Sequence, residues 1–269
     1  MEERELILLR KWFDGFCAAF RSDDAEEQRN ITLKEEHTGR VCANMRQIVQ
    51  EESLGAGRGR LAEVCALCHD IGRFPQYHRY RTFKDSVSVN HAVLAADILV
   101  QSRALDKLSR NEQTIVINAV RHHNAFAVPF SLDAESSLFL KLVRDADKLD
   151  IWRVFLDYYR LPEGKRASAV SLGFPDLPEY SHQAIAALLR GEMVRLSQVK
   201  SLSDFKLLQL SWVYDLNFPS SFRMLMERGY VDGLAAVLPP EREVQLALGA
   251  VREFALRAAE CSKGVLDRG

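Results

Sequence analysis

The sequence contains no long apolar run, and no stretch approaches the roughly 20 apolar residues that cross a membrane. Its N-terminus, Met1-Glu-Glu-Arg-Glu5, is acidic and soon amphipathic, unlike the basic and then apolar start of a signal peptide. Cysteine is scarce, and the odd number of 5 fits a reducing compartment better than a disulfide framework. We therefore expect a cytoplasmic protein that has no membrane partner.

An excess of charge of either sign is also missing. The 36 Lys and Arg residues nearly balance the 37 Asp and Glu residues, so the formal net charge is -1. Such a chain has no general attraction to a nucleic-acid polymer, and any basic patch that binds phosphate must be local. The hydrophobic fraction of 47% and the length of 269 residues are ordinary for a globular protein with a substantial core.

The sequence shows no strand-like alternation, no internal repeat and no low-complexity segment, whereas apolar residues recur at helical spacing. Helix N-caps are predicted at Asn90 and at Ser109, where Glu112 completes a capping box. The fold class is therefore predicted to be all-α. We expect a metal-binding helical domain over residues 1–160 and a C-terminal helical extension over residues 161–269, which packs on it to form one structural unit.

Two segments are predicted to be irregular. Gly55–Gly59 is rich in glycine and is predicted to be a turn before a short helix over residues 61–70. Residues 73–89 have no clean period but carry four aromatic and four basic side chains. Because aromatics argue against disorder, this second segment is predicted to be a long, ordered and functional loop.

The chemistry of the chain is concentrated around His69 and Asp70, which follow an apolar segment and precede Gly72. Gly72 is expected to adopt the left-handed conformation that ends many helices. Further His and Asp residues lie on the apolar faces, or at the ends, of separate predicted helices: His37, His91, His122, His123 and Asp147.

One buried histidine is usually a satisfied core residue, but five of the 7 histidines fall at such positions. Burying these imidazoles together with carboxylates would be costly without compensation, and metal ions supply it. Neutral imidazole and carboxylate ligands suit Mn, Fe, Co, Ni or Zn. The pattern therefore predicts a metal site.

A competing motif overlaps this region, since Cys65-Ala-Leu-Cys68-His69 fits the signature of covalent haem attachment. That interpretation needs an exported chain and leaves the remaining histidines unexplained. A redox Cys-x-x-Cys pair would be expected beside a βαβ unit, and no such pattern occurs. We interpret Cys65 and Cys68 as small apolar residues that pack on a helix.

The ordered set of His and Asp residues resembles the HD superfamily of metal-dependent phosphohydrolases, in the variant with a dinuclear site. The resemblance covers residues from about 30 to 155, and its flanking motifs are His69-Asp-Ile-Gly72 and Asp145-Ala-Asp-Lys-Leu-Asp150. It implies an HD-domain helical bundle with additional C-terminal helices. It also implies two divalent transition-metal ions as cofactors.

By this resemblance, Asp70 would bridge the two ions. The first ion would be held by His37, His69, Asp70 and Asp147. The second would be held by Asp70, His91, His122 and His123. His123 has two alternatives, a contact with the substrate or exposure to solvent. Asp150, one turn beyond Asp147, is either an acceptor for a ligating imidazole N–H or a surface carboxylate.

The substrate would be a small phosphoester, and the resemblance favours a nucleotide or a cyclic nucleotide. We expect Arg73, Arg79 or Arg81 to contact its phosphate, because arginine suits bidentate binding of oxyanions. Lys148 is a further phosphate contact and, with the bridging Asp70, a predicted catalytic residue. For each basic residue the alternative is a solvated surface charge.

Two other functions stay open at this point. Some HD proteins use a mixed-valent di-iron pair with the same ligand types to activate oxygen. Others are signalling modules without catalysis, but these typically lose the ligands that this chain keeps. The C-terminal third has three roles open to it: completion of the core, a homodimer contact or a roof over the active site.

Overall fold

A computed structural model describes residues 1–161 and 174–261, and the regular structure in these ranges is entirely helical. The prediction of an all-α fold is confirmed. No helix among these residues is long and apolar enough to cross a membrane. The twelve α-helices of the described residues are α1 Glu3–Ala18, α2 Ala25–Glu51, α3 Ala56–Cys68, α4 Arg73–Tyr80, α5 His91–Gln101, α6 Arg110–His122, α7 Ala134–Arg160, α8 His182–Leu189, α9 Leu202–Ser211, α10 Pro219–Glu227, α11 Tyr230–Ala235 and α12 Arg242–Glu260.

The described residues fall into two compact units, one formed by Met1–Asp150 and the other by residues from Ile151 onward. The division lies within α7, which begins in the first unit and continues in the second. Residues 162–173, which follow the predicted domain boundary at 160, lie outside the described residues.

The centre of the first unit is α3, whose residues from Leu61 to Cys68 are all buried. It contacts α1, α2 and α6, which explains why it is apolar on every side. The charged residue in this run, Glu63, is paired with Arg10 and Arg46, as a buried carboxylate requires. The C-terminal end of α3 therefore delivers the next two residues, His69 and Asp70, into the interior.

The predicted caps define two helices that border the site. Asn90 accepts hydrogen bonds from the backbone N–H groups of Ala92 and Val93 at the start of α5. Ser109 and Glu112 form the predicted capping box of α6. These predictions are confirmed, because cap geometry depends on neighbouring residues in the sequence.

The two predicted irregular segments differ from expectation. Helix α3 begins at Ala56 rather than at residue 61, so most of the glycine-rich stretch is helical. There a Cβ on Gly59 would lie 2.8 Å from Cγ1 of Val49, so the glycine lets α3 approach α2 closely. Residues 73–80 form α4 instead of a loop; this helix buries Phe74 and Tyr77 at i, i+3 spacing. Two turns are too short to reveal a helical period.

Gly72 is not left-handed, and that prediction is wrong, because its φ is -66°. The reason for glycine at this position is a close approach of the backbone of α5. A Cβ on Gly72 would lie 2.2 Å from the carbonyl oxygen of His91 and 2.8 Å from the amide nitrogen of Ala95. The absent side chain thus lets the first turn of α5, with His91, lie against the His69-Asp70 segment.

The second unit has its own apolar core. Trp152 is buried, and its Nε1 donates to the carbonyl oxygen of Gln209 over 3.0 Å. Tyr214 packs edge-on against Phe254 and donates from its hydroxyl to the carbonyl oxygen of Leu188. Aromatic residues of the C-terminal third therefore contribute to the core of this unit.

Candidate metal centre

Six of the predicted ligands meet in the first unit. Their ligand atoms form three overlapping groups in which all atoms lie within 4.8 Å of one another. These groups are His37, His69 and Asp70; His69, His123 and Asp147; and Asp70, His91 and His123. The residues come from α2, the segment after α3, α5, the end of α6 and α7, so tertiary packing alone brings them together.

The first part of the cluster surrounds Oδ2 of Asp70. Nε2 of His37 lies 3.6 Å from this oxygen, and Nε2 of His69 lies 3.7 Å from it. Oδ1 of Asp147 lies 3.1 Å from Nε2 of His37 and 3.6 Å from Nε2 of His69. Atoms that share one ion at about 2.1 Å lie roughly 3.0–3.4 Å apart, so these spacings suit common coordination.

The second part of the cluster faces the other oxygen of the same carboxylate. Oδ1 of Asp70 lies 3.4 Å from Nε2 of His91 and 3.7 Å from Nε2 of His123. The two Nε2 atoms are 3.0 Å apart. Asp70 thus presents one oxygen to each pair of imidazoles.

All four imidazoles point Nε2 into the cluster and use Nδ1 for a hydrogen bond outside it. Nδ1 of His69 donates to the carbonyl oxygen of Ala66, and Nδ1 of His123 donates to that of Val120. A carbonyl can only accept, so Nδ1 carries the proton and the Nε2 lone pair faces the cluster. The Nδ1 atoms of His37 and His91 donate to carboxylates, Asp150 and Asp85 respectively. This arrangement is typical of metal-binding histidines.

A second observation also indicates that these ligand atoms suit a metal ion. Oδ1 of Asp147 is buried and makes no hydrogen bond, although two imidazole nitrogens lie close to it. Likewise, the Nε2 atoms of His91 and His123 lie 3.0 Å apart, and because both rings donate from Nδ1 their facing lone pairs cannot satisfy each other. A shared cation would satisfy these atoms together, and leaving them unpaired would be costly.

His122 does not belong to these groups, although it was predicted as a ligand with His123. Successive residues of a helix point about 100° apart, so only one member of the pair can face inward. His123 is buried and occupies that position, whereas His122 is partly exposed.

The charge around Asp70 favours its ionised form. Burial raises the pKa of this carboxyl, but Lys34, His69, His123 and Arg73 together outweigh it and hold the pKa well below its usual range. Nζ of Lys34 lies 2.7 Å from Oδ2, and Nε of Arg73 lies 3.4 Å from Oδ1. Asp70 therefore stays a carboxylate, the form that binds a cation.

Asp85 supports His91 from the loop that follows α4. Its Oδ2 accepts from Nδ1 of His91 over 2.7 Å, and its Oδ1 accepts from Arg73 and Gln76. Burial raises the pKa of Asp85, but the bond to His91 and the charge of Arg73 lower it to about 2. Burial and Arg73 lower the pKa of His91 to about 3 despite Asp85, so His91 is neutral and able to bind a metal.

Asp150 supports His37 in the same way. Its Oδ2 accepts from Nδ1 of His37 over 2.7 Å, and its Oδ1 accepts from Nε of Arg40 over 2.7 Å. Burial and Lys34 lower the pKa of His37, but the neighbouring carboxylates of Asp147 and Asp150 raise it above its ordinary value. Of the two roles considered for Asp150, the structure shows the acceptor and not the surface carboxylate.

Among the basic residues predicted to bind phosphate, Arg73 lies close to a clustered ligand: its Nε is 3.4 Å from Oδ1 of Asp70. Arg79 lies over the ring of Tyr80, 5.1 Å from its centroid, and Arg81 pairs with Glu27 over 2.7 Å. Lys148 is buried, and its Nζ donates to the carbonyl oxygen of Arg144 over 3.4 Å.

Sequence reasoning missed two residues of the site. Lys34 lies one turn before His37 on α2, so the i, i+3 relationship was a signal that could have identified it. Asp85 begins a single 3₁₀ turn, Asp85–Val87, which is too short for a periodic pattern to mark it.

The cysteines of the haem-like motif are structural. Cys65 and Cys68 are fully buried in α3, and both carry free thiols. Burial raises the pKa of each thiol, so neither is a ready nucleophile or an exposed redox group. Packing on a helix is the interpretation that agrees with these positions.

Comparison with protein-family models matches the HD domain over residues 35–152. No curated protein and no solved structure matches the chain. The matched range includes all six clustered ligands, among them His69 and Asp70 at the centre of the cluster. This chain therefore contains an HD domain, formed by residues 35–152.

Proposed function

We propose that this chain is a metal-dependent phosphohydrolase that cleaves a small phosphoester at a dinuclear centre. The observation that carries the proposal is the position of Asp70 between two pairs of imidazoles, with one oxygen toward each pair. A carboxylate in this position is suited to bridging two ions roughly 3.5–4 Å apart. The HD-domain match supports the same class of activity.

The ligands of the two ions follow from these spacings. One ion would be held by His37, His69, Asp70 and Asp147. The other would be held by Asp70, His91 and His123. Nitrogen and oxygen donors of this kind suit Mn, Fe, Co, Ni or Zn, and supply in the cell influences which is bound.

Divalent ions at this centre would supply Lewis acidity to a phosphoryl group and a hydroxide nucleophile near neutral pH. The protein contributes the fixed geometry. Asp85 and Asp150 hold the imidazoles of His91 and His37 in the orientation that points Nε2 inward. Lys34 and Arg73 keep Asp70 ionised and add positive charge where an anionic substrate would lie.

We propose a nucleotide or a cyclic nucleotide as the substrate. This choice extends the family resemblance to a substrate class. The near-zero net charge also favours a small molecule over a nucleic-acid polymer.

The test combines elemental analysis with a hydrolysis screen. Anaerobically purified protein, reloaded with Mn or Co, should hydrolyse a chromogenic phosphomonoester or phosphodiester, and nucleotides and cyclic dinucleotides should identify the substrate. Asp70→Ala should abolish metal binding and hydrolysis together. Asp106→Ala is the matched control, because Asp106 forms an exposed pair with Arg103. Hydrolysis that persists in Asp70→Ala would disprove the mechanism.

The donor set favours a second candidate, because four imidazoles and two carboxylates also suit a di-iron pair. A mixed-valent di-iron oxygenase would contain iron as purified and give an EPR signal. It would consume oxygen and release no phosphate from esters. This set of results would replace the hydrolase proposal.

A further inference from the structure

Lys34 occupies a special position at the metal centre. It lies on α2, one turn before His37, and its Nζ is 2.7 Å from Oδ2 of Asp70. The same oxygen faces Nε2 of His37 and Nε2 of His69. The ammonium group of Lys34 is therefore next to the atoms that would hold one of the ions.

The ammonium group has donors to spare. Lysine carries three N–H donors, and within the described parts of the chain Lys34 makes one hydrogen bond, to Asp70. Its Nζ also lies 5.3 Å from the ring centroid of Phe83, a contact that positions the flexible side chain without using a donor in a hydrogen bond. Two N–H groups are thus available to a ligand.

The second basic neighbour of Asp70 differs in this respect. Nη1 of Arg73 donates to Gln76, to Asp85 and to the carbonyl oxygen of Phe83. Its guanidinium also lies 5.8 Å from the ring of Phe83. Nη1 of Arg73 therefore holds the loop and Asp85, and the buried Nε, which makes no hydrogen bond, points toward Oδ1 of Asp70 over 3.4 Å. Lys34 has no such bonds to the loop and lies beside the other oxygen, Oδ2.

Solvent reaches the cluster on the side of Lys34. The side chains of Lys34 and Asp147, which border the first ion site, are 16% and 15% exposed, and that of Arg73, beside the other oxygen of Asp70, is 16% exposed, whereas that of His37 is 3% exposed. The side chains of the other three imidazoles are at most 4% exposed. A ligand that approaches the first ion site from solvent would pass Lys34 and Asp147.

We infer that Lys34 binds an anionic oxygen of the substrate's phosphoryl group, beside the ion that His37, His69, Asp70 and Asp147 would hold. This inference rests on the proposed function for the identity of the substrate. An ammonium donor to a phosphate oxygen makes a strong, charge-assisted hydrogen bond, and Asp70 with Phe83 fixes the ammonium in place. Lys34 is thus a substrate-contacting residue that adds to the metal ligands.

The experiment measures binding of inorganic phosphate to metal-loaded, full-length protein by titration calorimetry. Lys34→Met should weaken phosphate binding by roughly ten- to a hundredfold, the usual effect of losing a hydrogen bond to a charged group. Metal content and the thermal midpoint should stay close to those of the wild type. Lys107→Met is the matched control, since Lys107 is exposed, and it should bind phosphate like the wild type. Lys34→Arg should recover part of the affinity.

Three results would overturn the inference: unchanged phosphate affinity in Lys34→Met, no phosphate binding by the loaded wild type, or loss of metal in both Lys34→Met and Lys34→Gln. The last result would show that Lys34 stabilises the centre instead of binding substrate. Lys34-dependent phosphate binding without ester hydrolysis would overturn the proposed function and leave this inference standing. Hydrolysis with equal KM and kcat in the wild type and in Lys34→Met would support the proposed function and overturn this inference.

Discussion

Asp85 accepts a hydrogen bond of 2.7 Å from Nδ1 of His91, and this contact joins the loop after α4 to the metal centre. The other oxygen of Asp85 accepts from Arg73 and Gln76, so α4 holds the carboxylate in place. Because the bond fixes both the tautomer and the ring orientation of His91, it determines where the Nε2 lone pair points.

Replacing Asp85 should weaken the centre without removing a ligand. We expect Asp85→Asn to lower metal affinity by about ten- to a hundredfold, as is usual for carboxylates that orient a ligating histidine. Metal titration with a competing chelator measures the change. Asp97→Asn serves as the control, because Asp97 pairs with Arg121 and contacts none of the six ligands in the bonds described. Equal affinities for Asp85→Asn and the wild type would contradict this role.

The adjacent histidines at the end of α6 should differ in function. His123→Ala should lower metal content and activity strongly, because its Nε2 is 3.0 Å from that of His91 and 3.7 Å from Oδ1 of Asp70. His122→Ala should leave the metal content unchanged, because His122 is partly exposed and lies outside the clustered groups. Elemental analysis of the two variants side by side decides the matter. A stronger loss in His122→Ala would reverse the assignment.

A methyl group at Gly72 should disrupt the contact between α5 and the His69-Asp70 segment. The new Cβ would lie 2.2 Å from a backbone oxygen, which cannot move aside as a side chain can. We expect Gly72→Ala to lower the free energy of unfolding by about 1–3 kcal/mol and to weaken metal binding. Denaturant unfolding gives the first quantity.

The matched control for this substitution is Gly39→Ala in the middle of α2. A Cβ on Gly39 would meet nothing within 4 Å, so alanine should raise the free energy of unfolding by about 0.5–1 kcal/mol. Opposite signs for the two glycines are the expected outcome. A neutral Gly72→Ala would show that α5 does not lie so close.

The buried, neutral His91 should make the stability of metal-free protein depend on pH. Burial and Arg73 lower the pKa of His91 from 6.5 to about 3, so between these values the unfolded chain binds a proton that the folded chain does not. The free energy of unfolding should therefore fall as the pH falls through this window, with a slope from His91 of at most about 1.4 kcal/mol per pH unit. Above pH 6.5 this contribution is constant.

Chelator-treated wild type and His91→Gln, unfolded in denaturant between pH 6.5 and 4.5, provide the comparison. The slope should be smaller in the variant, because glutamine does not titrate. Identical slopes would mean that His91 is not held neutral in the folded chain.

The sequence by itself determined the fold class, the capped helices and the resemblance to the HD domain that the family model matches over residues 35–152. Helical spacing and caps such as Asn90 and the Ser109–Glu112 box depend on residues a few positions apart, and local patterns record such relationships. The sequence also identified six residues of one site, because each lies on the apolar face or at the end of a helix, where a buried polar side chain needs a partner. These residues are His37, His69, Asp70, His91, His123 and Asp147.

Tertiary structure alone decided how those residues meet. Which oxygen of Asp70 faces which imidazoles, and which of His122 and His123 turns inward, depends on the packing of separate helices. The contact of Asp85 with His91, and the approach of α5 to Gly72, join residues that have no shared period. Contacts between distant segments leave no periodic trace in a single sequence, so only the folded chain reveals them.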